Sequence, residues 1–156
     1  KKPEKFINID LILATLEARE QVQKKEFENF GVSEWLYFFN NLNDKAVTPQ
    51  LSDIFTDNKH ALNSNAEIKT KWLIFNLKQG NKMILKDVDY FLKNTGRRKF
   101  LVPIYKELIQ FFGNNKEYRE QYLRMSLNYH SITQNTLDKL FDVTIKTRQS
   151  LRQLNH

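Results

Sequence analysis

The scarcity of glycine and proline is the feature that most constrains the fold of this chain. Only four of its 156 residues are Gly and three are Pro. These two residues most often interrupt regular structure, and a fold built from many short strands needs them at its turns. No segment shows a convincing alternation of apolar and polar residues bounded by turns. The sequence therefore predicts an all-α protein.

Length and composition predict one helical domain over residues 1–156. Hydrophobic residues make up 40% of the chain, which is enough to build a core. We expect an entry segment and a first helix over 1–29 and a polar tail over 144–156. Helices of roughly ten to fifteen residues with short turns favour antiparallel neighbours. A right-handed superhelix of antiparallel helix pairs is the first choice, and a compact bundle is the second.

Capping signals predict where several of the helices begin. Asp10 is a candidate N-cap for the first helix, and Ser33 for the helix that follows Gly31. The pair Thr48-Pro49 is typical of a helix start. Apolar residues at helical spacing follow these starts. They are Leu11, Leu13, Leu16 and Val22 in the first helix, and Trp35, Leu36, Phe38, Phe39 and Leu42 in the second.

The second half of the chain contains similar helix-start signals. Residues Ser64 to Glu67 match a capping box, and Pro103 is predicted in the first turn of its helix. His130 is predicted to cap a helix or to pack. An aromatic stripe is interpreted as core, and a last apolar pattern predicts a last helix. They comprise Tyr118, Tyr122, Met125 and Tyr129, then Ile132, Leu137, Leu140, Phe141 and Ile145.

Several classes of function are disfavoured by what the sequence lacks. The chain has no Cys, and its three histidines form no His-Glu-x-x-His motif, so we predict no catalytic residue and no metal site. No apolar run is long enough to cross a membrane, and no signal peptide is visible at Lys1-Lys2. The absence of cysteine and of glycosylation acceptors predicts a cytoplasmic location. The net charge of +7 raises nucleic acid as a partner, but the basic residues are scattered among 18 acidic ones, which makes that partner unlikely.

The longest run of consecutive like charges in the chain consists of Arg97, Arg98 and Lys99. The patterns place them on a corner between a helix that ends at Gly96 and another that begins near Phe100. A solvated loop beside a helix end is the simpler interpretation of these residues alone. The alternative is an anion-binding corner, since a guanidinium can bind a carboxylate or phosphate through paired hydrogen bonds.

Two motifs in this order resemble a known family. The first runs from Asn63 to Trp72, and the second is Gly-Arg-Arg-Lys-Phe at 96–100 with Pro103 and Tyr105 after it. Together they resemble the C-terminal domain of leukotriene A4 hydrolase, within the M1 zinc aminopeptidases. The likeness extends over roughly Phe30 to Thr133. A related aminopeptidase B pattern has Lys where this chain has Arg97, which favours the hydrolase-like branch.

The resemblance implies an armadillo/HEAT-like helical superhelix packed on an upstream catalytic domain. That domain, not this chain, would hold the zinc and act on short peptides, so the chain alone should be inactive. The resemblance also implies that Arg97 and Lys99 bind the free carboxylate of the substrate, while Arg98 is a surface residue. It makes the anion-binding corner the favoured interpretation.

Two points limit what the resemblance implies. The family pattern stops soon after His130 to Thr133, whereas this chain continues, so residues 134–156 have no assigned role. Hydrolysis of a lipid epoxide is a narrow property within the family, and cleavage of short peptides is the safer expectation. The rival hypothesis is a non-catalytic helical adaptor that binds protein or nucleic acid.

Overall fold

The computed structural model describes residues 1–44, 49–113 and 115–154, with residue 112 described by its backbone alone. These residues form ten α-helices and no β-strand, so the all-α prediction is confirmed. The superhelical arrangement and the single domain over 1–156 stay predictions. The helices are α1 (Glu4–Glu17), α2 (Val32–Asn41), α3 (Pro49–Asp57), α4 (Lys59–Asn63), α5 (Ala66–Lys78), α6 (Leu85–Asn94), α7 (Arg98–Phe112), α8 (Lys116–Ser126), α9 (Ser131–Leu140) and α10 (Ile145–Leu154).

The chain divides into two compact units, Lys1–Phe75 and Asn76–His156. In the first unit α1 packs against α2. An aromatic cluster fills its core, in which the rings of Phe27 and Phe38 lie perpendicular with centroids 5.4 Å apart. Edge-to-face contacts of this kind add to the free energy gained from burying the rings. The predicted stripe at Trp35 and Phe38 is therefore confirmed as core.

In the second unit α7 packs against α9. Leu101 and Ile104 on α7 are completely buried. The rings of Tyr122 and Phe141 stack with centroids 4.4 Å apart. The hydroxyls of Tyr105 and Tyr129 lie 2.8 Å apart, and Tyr129 also donates to the Leu92 carbonyl. The predicted aromatic stripe is core at its buried members, which are Tyr122 and Tyr129.

The prediction that Asp10 caps the first helix is wrong. The helix begins at Glu4 after Pro3, so Asp10 lies within it. There its carboxylate accepts hydrogen bonds from the Lys2 ammonium at 2.8 Å and the Tyr37 hydroxyl at 2.7 Å. The apolar face was also misplaced, because Leu11 is 62% exposed. The buried face of α1 consists of Ile9, Ile12, Leu13 and Leu16.

Two other predicted caps are also wrong. Gly31, not Ser33, is the N-cap of α2. Ser64 is the C-cap residue of α4 and has helical backbone angles. Its hydroxyl donates to the Ala61 carbonyl. An N-cap residue needs non-helical angles, so the neighbouring Asn65 takes that role. Its side-chain oxygen accepts from the backbone N–H groups of Glu67 at 2.8 Å and Ile68 at 3.1 Å.

Other boundary predictions had mixed outcomes. His130 caps α9, since its Nδ1 accepts from the Ile132 N–H at 3.3 Å, as predicted. Pro103 lies inside α7, beyond the predicted first turn. α3 begins at Pro49, but Thr48, the other residue of the predicted helix start, lies outside the described residues. Asn114 and the side chain of Phe112 also lie outside them.

The end of the chain differs most from its prediction. The predicted last helix is divided into α9 and α10, with Asp142 between them at a left-handed φ of 53°. Ile132 and Ile145 are 61% and 79% exposed, so neither belongs to the core. Residues assigned to a polar tail form α10, and one of them, Arg148, is buried. A buried cation is rare unless it is paired, and composition alone gave no sign of a partner.

Candidate functional site

The local backbone places the three cations at the start of α7. After α6 ends, Thr95 is extended, with φ −122° and ψ 128°. Arg97 is extended as well and is the N-cap residue of α7. The helix starts at Arg98, slightly earlier than predicted, so Arg98 and Lys99 lie in its first turn. We call Arg97, Arg98 and Lys99 the basic corner.

Arg97 and Lys99 both lie close to one aromatic ring. The guanidinium carbon of Arg97 is 5.5 Å from the centroid of the Phe100 ring, and the Lys99 ammonium is 5.8 Å from the same centroid. The ring itself is buried, with 7% of Phe100 exposed. Cation–π contacts at these distances are attractive, and the ring gives both cations a fixed neighbour. The structure thus brings together the two residues that the resemblance selects.

Arg98 is directed elsewhere. Its Nε donates a hydrogen bond to Oγ1 of Thr136 on α9, at 3.1 Å. This contact lies on the surface of the second unit and links the first turn of α7 to α9. The side chain of Arg98 is therefore held by α9, and its exclusion from the carboxylate site stays a prediction.

The electrostatics of the basic corner suit an anion. All three cations are exposed, and the side chain of the N-cap residue Arg97 makes no capping hydrogen bond to the first turn of α7. The first backbone N–H groups of a helix carry a partial positive charge that attracts carboxylates and phosphates. Arg97 forms no ion pair with any described residue. Binding of a carboxylate by Arg97 and Lys99 stays a prediction.

Neither a zinc site nor a membrane span is found in the described residues. No three His, Cys, Asp or Glu side chains among them are placed to hold a metal ion. Each described helix is too short or too polar to cross a bilayer.

Sequence reasoning missed a buried polar cluster in the second unit. Nε and Nη2 of Arg148 donate to the two carboxylate oxygens of Asp138, at 2.9 and 2.7 Å. The Tyr122 hydroxyl donates to the same carboxylate at 2.6 Å, and the Ser126 hydroxyl accepts from Arg148 at 2.8 Å. Only a helical pattern drawn past residue 144 could have revealed it, and the polar composition there concealed that pattern. The cluster comprises Tyr122, Ser126, Gln134, Asp138 and Arg148.

The buried tyrosines of this unit are poor proton donors to a reaction. Burial raises the pKa of Tyr122 above its usual range, and the hydrogen bond to Asp138 raises it further. Burial likewise raises the pKa of Tyr129 to about 12. Such phenols stay neutral at physiological pH and act as hydrogen-bond donors. The cluster is thus suited to holding helices together and not to acid–base catalysis.

Comparison with known families gives the identity. A family model described as leukotriene A4 hydrolase, C-terminal, matches residues 30–141. The chain belongs to this family. The match includes the basic corner and ends at Phe141, so α1 and α10 lie outside it. The sequence-based recognition is therefore confirmed.

A curated relative supports the same assignment. Aminopeptidase B from Homo sapiens, of the M1 family, is 28% identical over an alignment of 107 residues, and the alignment covers 62% of this chain. The chain covers only 16% of that protein's length. No solved structure matches the chain. The preference for the hydrolase-like branch over the aminopeptidase B branch stays a prediction.

Proposed function

We propose that this C-terminal domain serves an M1-type zinc aminopeptidase by binding the free carboxylate of short peptide substrates. Arg97 and Lys99 are the residues that bind it. Both are exposed, both lie against the ring of Phe100, and both stand where a helix begins without a side-chain cap. This arrangement supports the proposal because it places two exposed cations beside the same ring at the start of a helix.

The two cations should contribute unequally. A guanidinium can form two parallel hydrogen bonds with a carboxylate, whereas an ammonium acts as a single point charge. Arg97 is therefore the principal ligand and Lys99 the auxiliary one. Holding the carboxyl end of a peptide fixes the position of its N-terminal peptide bond relative to the catalytic residues. Remote binding energy is converted in this way into orientation of the reacting group.

Catalysis itself belongs to an upstream domain in this proposal. The described residues do not fit a zinc ion, so the metal and the general base are supplied by the catalytic domain on which this chain packs. The packing would follow the armadillo/HEAT-like superhelix expected for the family. We propose a cytoplasmic enzyme that cleaves short peptides, and no step of the reaction is assigned to residues of this chain.

Substitutions in the enzyme that contains both domains test the proposal. For tripeptides with a free C-terminus, Arg97→Ala should lower kcat/KM by roughly thirty- to a thousandfold, or about 2–4 kcal/mol. Lys99→Ala should cost less. Arg98→Ala is the matched control, because it removes one cation from the same corner and should change kcat/KM little.

Peptide amides separate recognition of the carboxylate from damage to the fold. The same tripeptides with an amidated C-terminus should be poor substrates of the parent enzyme and nearly insensitive to Arg97→Ala. Equal losses on acids and amides would show that Arg97 supports the structure and does not bind the substrate.

A further inference from the structure

Arg148 on α10 is an almost completely buried cation that uses only part of its hydrogen-bonding capacity. It is 3% exposed. Nε and Nη2 bind the Asp138 carboxylate, and Nη2 also donates to the Ser126 hydroxyl at 2.8 Å. Nη1, at the far end of the guanidinium, has no hydrogen-bond partner among the described residues although it is buried. A buried charged donor without an acceptor is costly and calls for an explanation.

A cleft of about 420 Å³ lies beside this guanidinium, between α9 and α10. Lys139, Arg148 and Arg152 contribute cationic side chains to its lining, and Asp138 contributes the one carboxylate. That carboxylate already accepts from Arg148 and from the Tyr122 hydroxyl. Among the described lining residues the cations therefore outnumber the carboxylates, and no carboxylate of the lining pairs with Lys139 or Arg152.

Gln134, a neighbour of Arg148 in the buried polar cluster, already uses both ends of its side-chain amide. Arg152 donates to the Gln134 side-chain oxygen at 3.1 Å, and the Gln134 nitrogen donates to the Ser126 carbonyl at 2.6 Å. The Gln134 oxygen thus accepts from Arg152 and not from Nη1 of Arg148. A ligand that brings acceptor oxygens would complete the hydrogen bonding of Arg148.

We propose that the cleft between α9 and α10 binds a small oxyanion, a carboxylate or a phosphate, on Arg148, Arg152 and Lys139. Nη1 is closed to solvent in the structure, so its binding to the anion requires neighbouring side chains to move aside. A volume of about 420 Å³ is ample for a phosphate group or the end of a peptide. This site is formed by different residues from the basic corner and does not depend on it.

Titration of the 156-residue chain with inorganic phosphate, and separately with acetate, tests the proposal. Sodium chloride at matched ionic strength is the reference. Calorimetry and the side-chain NMR signals of arginine should show saturable binding of at least one of the two anions. Preference for phosphate or for acetate identifies which oxyanion the cleft takes. Absence of saturable binding by both would overturn the proposal.

Three variants locate the binding. Arg152→Gln and Lys139→Gln, both on the open side of the cleft, should each weaken binding about tenfold, the loss expected for one charge-assisted contact. Arg98→Gln removes the same charge from α7 and should leave the affinity unchanged. If Arg98→Gln weakens binding as much, the effect is only that of net charge, and the proposal fails.

A fourth variant separates this cleft from the basic corner. Arg97→Ala should leave the shifts that phosphate and acetate induce in the side-chain NMR signals of Arg152 and Arg148 unchanged, because these two residues line the cleft and Arg97 does not. Loss of binding in Arg97→Ala, with retention in Arg152→Gln, would place the anion at the basic corner and overturn the proposal. Carboxylate recognition by Arg97 in the whole enzyme would be untouched by failure of the cleft proposal, since it is measured on peptide substrates.

Discussion

The pairing of Asp138 with Arg148 shows how strongly one residue can depend on another in this fold. Both side chains are buried, and the carboxylate accepts from two nitrogens of the guanidinium. Removing one partner of a buried ion pair lowers the free energy of unfolding far more than replacing both partners with apolar residues, because the remaining charge stays desolvated. The pair thus makes α10 part of the second unit and not an appendage.

Asp138→Asn should therefore lower the free energy of unfolding by about 3–5 kcal/mol, because it leaves the buried guanidinium without a counter-charge. Denaturation in urea, followed by helical circular dichroism, measures the loss. Asp142→Asn is the matched control: Asp142 is exposed and has a left-handed φ that Asn tolerates, so the change should stay within about 0.5 kcal/mol. Similar losses for the two variants would show that Arg148 does not depend on Asp138.

At the scale of single elements, the starts of helices show which residues actually satisfy the first backbone N–H groups. In α5 the side-chain oxygen of Asn65 accepts two of them, while Ser64 bonds backward to Ala61. Both residues are suitable caps by composition, and they are adjacent. The N-cap must be the residue with non-helical backbone angles. Ser64 has helical angles at the end of α4, so Asn65 is the cap.

Asn65→Ala should lower the free energy of unfolding by about 1 kcal/mol, the usual cost of losing an N-cap side chain. Ser64→Ala, one residue earlier, is the matched control and should cost less, since it removes only an exposed hydrogen bond to Ala61. Thermal and urea denaturation of the two variants compare them directly. A larger loss of unfolding free energy in Ser64→Ala than in Asn65→Ala would support the capping box predicted from the sequence.

At the scale of the whole molecule, the family match and the helices do not have the same limits. The match covers residues 30–141, whereas α1 and α10 lie outside it. Both of these helices are nevertheless packed. α1 buries a face against α2, and α10 buries Arg148 in the polar cluster. These two helices are the part of the chain whose roles the family match leaves unassigned.

The net charge of +7 allows a test of the adaptor hypothesis. We expect only feeble binding of duplex or single-stranded nucleic acid near physiological salt, because the cations are scattered among acidic residues. Binding that depends on phosphates weakens steeply as salt rises. Fluorescence anisotropy of labelled oligonucleotides over a range of salt concentrations measures it. Sub-micromolar affinity at physiological salt would favour the adaptor hypothesis over the peptidase domain.

The sequence by itself determined the fold class, the family and the composition of the basic corner. Few glycines and prolines, together with apolar residues at helical spacing, permit helices and little else. The order of residues in 63–72 and 96–100 pointed to the family that the comparison confirmed. These conclusions depend on spacing along the chain, which the sequence displays directly.

Only the tertiary structure decided which polar residues would be buried and which caps would be used. Arg148 looks like any other cation of a polar segment, and its burial depends on Asp138, Ser126 and Tyr122, which reach it from α8 and α9. Likewise Asp10 looks like an N-cap until Tyr37 and Lys2 are seen to bind it within a helix. A buried charge is stable only when its partners surround it in space, and their distances along the chain do not reveal that.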